Sequence, residues 1–154
     1  MTYLLDTNHC SRMLRGGPAV VEQLRTVSQT VLSTCAIVRG ELLYMVERSQ
    51  RRTEYLQPVV NLLGEMEVHP ITAGSADIYG RLKALLMMRF GPRERARARR
   101  TTIQQIGFSD NDCWIAAVAQ ERGLIVVSGD SDFRRIAEVF PLRIETWWDS
   151  SAAV

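Results

Sequence analysis

Residues 124–127 read Leu-Ile-Val-Val, an uninterrupted apolar run with Gly123 before it and Asp130 just beyond it. A strand apolar on both faces has to be covered on both faces, as a central strand of a parallel sheet is. The rest of the chain supplies partners and covering layers for it. Tyr3-Leu4-Leu5 is a second short apolar run, ending at Asp6, and Val31-Leu32-Ser33 is a third. Ser33 or Thr34 is placed to cap a helix in which Ile37, Val38, Glu41, Leu42, Met45 and Val46 follow helical spacing. Helical patterns recur over 55–66, with Pro58 near the start, and over about 72–88. Residues 68–71 read as a strand between them. Gly91-Pro92 breaks the pattern. A further helix begins near Ser109 or Asp110 and stops at Gly123. A short helix over about 131–139 and a strand over 142–145 complete the series. Strands alternating with helices predict an α/β sandwich around a mostly parallel sheet of about five strands.

The 154 residues fit one domain, taken here as 1–147, with 148–154 expected to be a frayed tail. No run approaches the roughly 20 apolar residues that span a bilayer. The start of the chain carries no basic segment followed by a long apolar run. A cytoplasmic protein with no membrane partner is the expectation. Three cysteines without CxxC spacing argue against a disulfide framework or a zinc knuckle. Only His9 and His69 offer imidazoles. Any metal is then held mainly by oxygen, which suits Mg²⁺ or Mn²⁺.

Ligands of open α/β sheets bind beyond the carboxyl ends of the strands, and acids gather where that edge is expected. Asp6 ends the first strand and Asp130 follows the strand at 124–127. Asp112 lies in the first turn of the helix before that strand. Glu41 sits on a helix between apolar Val38 and Leu42. A buried carboxylate is costly unless something compensates it, and a shared divalent cation is one compensation. Such a cation suits phosphodiester hydrolysis. Taken singly, each acid also has a plainer role: Asp6 as an N-cap, Asp112 beside a helix dipole, Glu41 half-exposed, and Asp130 in a turn.

The residues around these acids resemble the PIN-domain family in four ordered motifs. Leu4-Leu5-Asp6-Thr7-Asn8 resembles its opening strand. Ser33 followed by Val38-Arg39-Gly40-Glu41-Leu42 is similar to its second motif. Asn111-Asp112-Cys113-Trp114-Ile115-Ala116-Ala117 looks like its third, and residues 125–133, ending Ser128-Gly129-Asp130-Ser131-Asp132-Phe133, like its fourth. The chain is similar, within that family, to VapC-type ribonuclease toxins. The resemblance implies a PIN-like α/β/α sandwich and Mg²⁺- or Mn²⁺-dependent endonucleolytic cleavage of RNA. It implies a homodimer and neutralisation by a small cognate antitoxin. It makes Asp6, Glu41, Asp112 and Asp130 the catalytic, metal-binding acids, and Thr7, Asn8 and Ser128 their polar support. Asp132 either assists there or caps the helix carrying Phe133, and capping is preferred. Asp110 is an alternative to Asp112, or the N-cap of its helix.

Eighteen of the nineteen basic residues are arginine, Lys83 being the exception. The bias suits phosphate recognition and equally fits a GC-rich coding sequence. If residues 89–100 are helical, Arg89, Arg93, Arg97 and Arg100 line one stripe able to follow an RNA backbone. Contact with an antitoxin or a second copy, and simple solvation, are the alternatives there. Arg39 lies two residues before Glu41 and is a further candidate for RNA contact. A haloacid dehalogenase-like phosphatase needs an Asp-x-Asp pair at the first strand, where this chain has Asp6-Thr7-Asn8. A catalytically silent PIN-like module binding RNA or protein is the alternative function, and the presence of all four acids argues against it.

Overall fold

The computed structural model describes residues 2–16, 22–23, 26 and 31–147. The tail expected at 148–154 lies outside them. Five strands, β1 (Thr2–Leu5), β2 (Val31–Cys35), β3 (Glu67–His69), β4 (Ile125–Val127) and β5 (Arg143–Glu145), form one sheet in the order β3-β2-β1-β4-β5. Every pairing is parallel. The α-helices with both ends among the described residues are α1 (Thr7–Arg15), α2 (Ala36–Arg48), α3 (Arg52–Gly64), α4 (Ala73–Phe90), α5 (Arg95–Ala98), α6 (Asp110–Arg122) and α7 (Ser131–Ala137). None of those described is long and apolar enough to cross a membrane.

The centre of the sheet is its most buried part. Leu4, Leu5, Val126 and Val127 are fully buried, and each such side chain contributes about 1.5–3 kcal/mol. From β1 the chain builds outward through β2 and β3, then returns to add β4 and β5 on the other side. The direction of growth therefore reverses between β1 and β4, and the crevice at such a switch point is where open α/β sheets bind ligands. Leu5 pairs with Val127, so the next residues, Asp6 and Ser128, emerge side by side. α6 ends where expected. Gly123 adopts φ 64, the left-handed conformation that favours glycine, and the Leu124 amide bonds back to the Ala119 carbonyl at 2.9 Å.

Three local expectations need correction. Ser33 and Thr34 do not cap α2. Both belong to β2, are fully buried, and donate to the Tyr3 and Leu5 carbonyls of β1 at 2.9 and 3.1 Å. Pro58 lies inside α3 rather than near its start. The helix begins earlier because the Glu54 and Tyr55 amides already bond to the Arg51 carbonyl. The arginines of 89–100 do not share one helix: α4 ends at Phe90 with Gly91 as its cap, and only Arg95–Ala98 is helical beyond it. Arg93, Arg97 and Arg100 are exposed without forming a single stripe.

α4 opens as expected at Thr72, whose hydroxyl accepts from the Ser75 amide at 3.1 Å while Ser75 Oγ accepts from the Thr72 amide at 2.8 Å. Thr72 also donates to Glu121 Oε1 on α6 at 2.6 Å. Thr72→Ala removes the cap and leaves that buried-side carboxylate short of a donor. A loss of about 1 kcal/mol is expected as a lower urea midpoint at unchanged slope. An unchanged midpoint would show the cap to be dispensable.

Candidate active site

Asp6 follows β1 directly and is 3% exposed. It does two things at once. As N-cap of α1 its Oδ1 accepts from the His9 amide at 2.7 Å and lies 2.9 Å from His9 Nδ1. Its other oxygen accepts from Ser128 Oγ, delivered by the neighbouring β4. Ser128 in turn receives the Asp130 amide at 3.0 Å. Register of the sheet thus links the first and fourth motifs through one hydroxyl.

Glu41 is brought in from α2. Its Oε2 accepts from Thr7 Oγ1, and its Oε1 accepts from Asn111 Nδ2 at 2.6 Å. Asn111 begins the second residue of α6, so this bond ties the second motif to the third. Asp112, next along, has its amide 3.4 Å from the Ser109 hydroxyl that caps α6. Among the described residues its carboxylate accepts no hydrogen bond. Burial, then the charges of Asp130, Asp132, Glu41 and Asp6, push the Asp112 carboxyl up to about 7. The structure therefore brings Asp6, Glu41, Asp112 and Asp130 into one electrostatic neighbourhood, with Thr7 and Ser128 bonded to two of them. Asn8 is exposed and lines a cleft that also contains Asp130.

Asp110 does not stand in for Asp112. It is held by Tyr79 Oη at 2.7 Å, Lys83 Nζ at 3.0 Å and Gln104 Nε2 at 2.6 Å. Burial works against its ionisation, but these donors keep its pKa below the usual range. Nor is it the helix cap, which is Ser109. Asp132 does not cap α7. Asp130 does, through the Asp132 amide at 2.9 Å. Asp132 accepts instead from the Ser109 amide at 3.3 Å and pairs with Arg135 at 3.3 Å. Its reach toward Ser109 fastens the start of α6 to α7. Arg39 is exposed on α2 and makes no ion pair among the described residues.

Two site residues escaped the sequence reading. Asn111 stood inside the third motif, and its position beside Asp112 in a first helical turn was the available signal. His9 was counted only as an imidazole, though an N-cap aspartate with histidine three residues on is a spacing that places the ring against the carboxylate. The three cysteines are free and buried, as expected of reduced thiols, and burial pushes Cys10 and Cys113 up to about 12.

An oxygen-donor cation fits this donor set. Mutually repelling carboxylates around the partly buried Asp112 are what a divalent ion relieves. Among the described residues no three acidic, imidazole or thiol side chains are already posed as a metal site, so the carboxylates would have to draw closer together around an ion.

Sheet order and acid cluster together define a class: an α/β protein with an anionic, oxygen-lined site at the switch point of a parallel sheet. Residues 3–139 match the family model of the PIN domain, and the chain belongs to that family. It is 27% identical over 147 residues to the tRNA(fMet)-specific endonuclease VapC of Shigella flexneri, spanning 96% of this chain and 98% of that one. It is 28% identical over 149 residues to Ribonuclease VapC2 of Haemophilus influenzae, with 96% and 98% covered. Among solved structures, a chain of VapBC2 from Rickettsia felis bound to a DNA fragment from their promoter superposes with a TM-score of 0.79 at 22% identity, covering 97% of this chain and all of that one. DNA-bound VapBC from Salmonella typhimurium gives 0.77 at 24% identity, with 96% and 99% covered.

Proposed function

We infer that this protein is an endoribonuclease that hydrolyses RNA phosphodiester bonds, and that it is the toxin of a toxin–antitoxin pair. The observation that carries the chemistry is the crowding of four carboxylates around Asp112. Full-length likeness to VapC ribonucleases supports the substrate class, and likeness to VapBC complexes supports a small antitoxin as partner.

Asp6, Glu41, Asp112 and Asp130 are the residues that hold Mg²⁺ or Mn²⁺ in this reading. When bound, the ion supplies Lewis acidity toward a phosphate oxygen and a more acidic water. The chain's own residues prepare the site. Ser128 and His9 fix both oxygens of Asp6, and Thr7 and Asn111 fix both oxygens of Glu41. Partners of this kind orient ligating carboxylates. Asp132 supports the start of α6. Arg39, Arg93, Arg97 and Arg100 are exposed and available to RNA phosphates. A cytoplasmic homodimer completes the proposal; Leu85 and Met88, exposed on α4, form an apolar surface a second copy can cover.

The test is incubation of a structured RNA pool with the purified protein in Mg²⁺, in Mn²⁺ and in EDTA. Cutting that needs the metal is the expected result. Absence of cutting in all three, together with absence of Mn²⁺ binding by titration calorimetry, would favour the silent binding module.

A further inference from the structure

An acid cluster repels the polyanion it is meant to cut, so cations other than the metal are needed where the strand approaches. A cleft of about 620 Å³ opens beside the acids, and it is lined by Asn8, Arg12 and Arg15 on one side and by Asp130 and Arg134 on the other. The first three share one face of α1 at i, i+4 and i+7. Arg134 belongs to α7, and its Nη2 donates to the Gly129 carbonyl at 3.4 Å. The arginine ion pairs among the described residues are made by Arg51, Arg52, Arg89 and Arg135, and not by these three. Arg12 and Arg15 lie in the last turn of α1, where positive charge suits the helix dipole. Arg134 lies likewise in the last turn of α7. The dipole thus accounts for each charge at its own helix end, but not for two helices directing theirs into the same cleft. Arg97, by contrast, lines a separate cleft with Phe90, Pro92 and Gln105.

We propose that this cleft is the binding site for the RNA phosphates flanking the scissile bond, with Arg12, Arg15 and Arg134 as counter-charges and Asn8 as a neutral hydrogen-bonding group. The inference rests on the ribonuclease reading above and adds to it the path of the strand. A guanidinium not committed to a carboxylate keeps its whole fork for phosphate oxygens. The pairing of β1 with β4 brings α1 and α7 together, so the site exists only in the folded chain. Asp130 lies at the junction between this cleft and the acid cluster, so a strand seated on the arginines runs directly toward the carboxylates.

The experiment is binding of a fluorescein-labelled, mixed-sequence single-stranded RNA in EDTA, followed as salt is raised, for the wild type, Arg12→Gln/Arg134→Gln and Arg93→Gln/Arg97→Gln/Arg100→Gln. The cleft variant is expected to bind at least tenfold more weakly. Its slope of log affinity against log salt should be shallower by about 1.4, from about 0.7 per lost single-strand contact. Mn²⁺ should bind it no more weakly than the wild type, since two positive charges beside the acids are gone. Its melting temperature should fall by no more than a few degrees for the lost helix-end charges. A wild-type slope in the cleft variant overturns the proposal, as does a loss confined to the 93/97/100 variant, which would route the strand past α5. If labelled poly-glutamate binds the wild type as tightly as RNA does and only that binding is lost in the cleft variant, the cleft belongs to an acidic protein partner instead. Failure of the wild type to bind RNA in EDTA would also overturn the proposal, while the ribonuclease reading stands or falls separately on the metal-dependent cleavage test above.

Discussion

Asp6→Asn is expected to reduce metal-dependent RNA cleavage by at least about a thousandfold, equivalent to roughly 4 kcal/mol of transition-state stabilisation, while the protein stays folded. The two halves of that expectation come from the two roles of one side chain. Asparagine is as good an N-cap as aspartate, and its carbonyl oxygen can still accept from the His9 amide that Asp6 Oδ1 now holds. Its amide then faces Ser128 Oγ, which can accept where it formerly donated. What is lost is the negative charge. Since that charge is among those raising the Asp112 carboxyl, the melting temperature without metal should hold or rise. Asp6→Ala makes the control: equally inactive, but less stable by about 1 kcal/mol because the cap goes as well. Cleavage within tenfold of wild type by a folded Asp6→Asn protein would remove Asp6 from the site.

How much of this was legible beforehand varied with the range of the interaction involved. β1, β4 and α6 announce themselves because their signals are local: buried runs bounded by an acid or by Gly123. Strand and helix order place Asp6, Asp112 and Asp130 at one edge, whereas Glu41 joins them only through the cost of its burial and the family resemblance. In the structure the charges of Asp6, Glu41 and Asp130 all act on Asp112. Capping was misread wherever a second, distant group competed for the same side chain. Ser33 and Thr34 look like caps, but their hydroxyls are held by carbonyls of β1, a strand about 30 residues earlier in the chain. Asp130 and Asp132 are equally plausible caps by composition. The extended backbone at Asp130, φ −74 and ψ 136, gives it the role, and Asp132 turns to the Ser109 amide of another helix. The cleft formed by Arg12 and Arg134 had no local signal, because only the β1–β4 pairing joins its walls. The conspicuous arginines at 93–100 drew attention by density alone, and Gly91-Pro92 divides them from the helix that would have aligned them.

In EDTA, Asp112→Asn is expected to melt higher than the wild type at pH 8 and nearly level with it at pH 4. An aspartate normally loses its proton near 3.8, whereas the folded chain holds that of Asp112 to about 7. Between those values the folded state binds more protons than the unfolded state, so stability falls as pH rises through the window and is flat above it. Asparagine carries no such proton and its curve lacks that fall. Each pH unit in the window contributes about 1.4 kcal/mol, and solvent screening at this half-buried site brings the sum to on the order of 2 kcal/mol. For a chain of this length that is roughly 5 °C in melting temperature. The proton and a divalent cation compete for the same carboxylate, so Mn²⁺ should stabilise the wild type more at pH 8 than at pH 6. It should do little for Asp112→Asn at either. A melting-temperature difference between wild type and variant that is the same at pH 4 and pH 8 would show that Asp112 ionises normally in the folded protein. The crowding of carboxylates on which the metal reading stands would then lose its support.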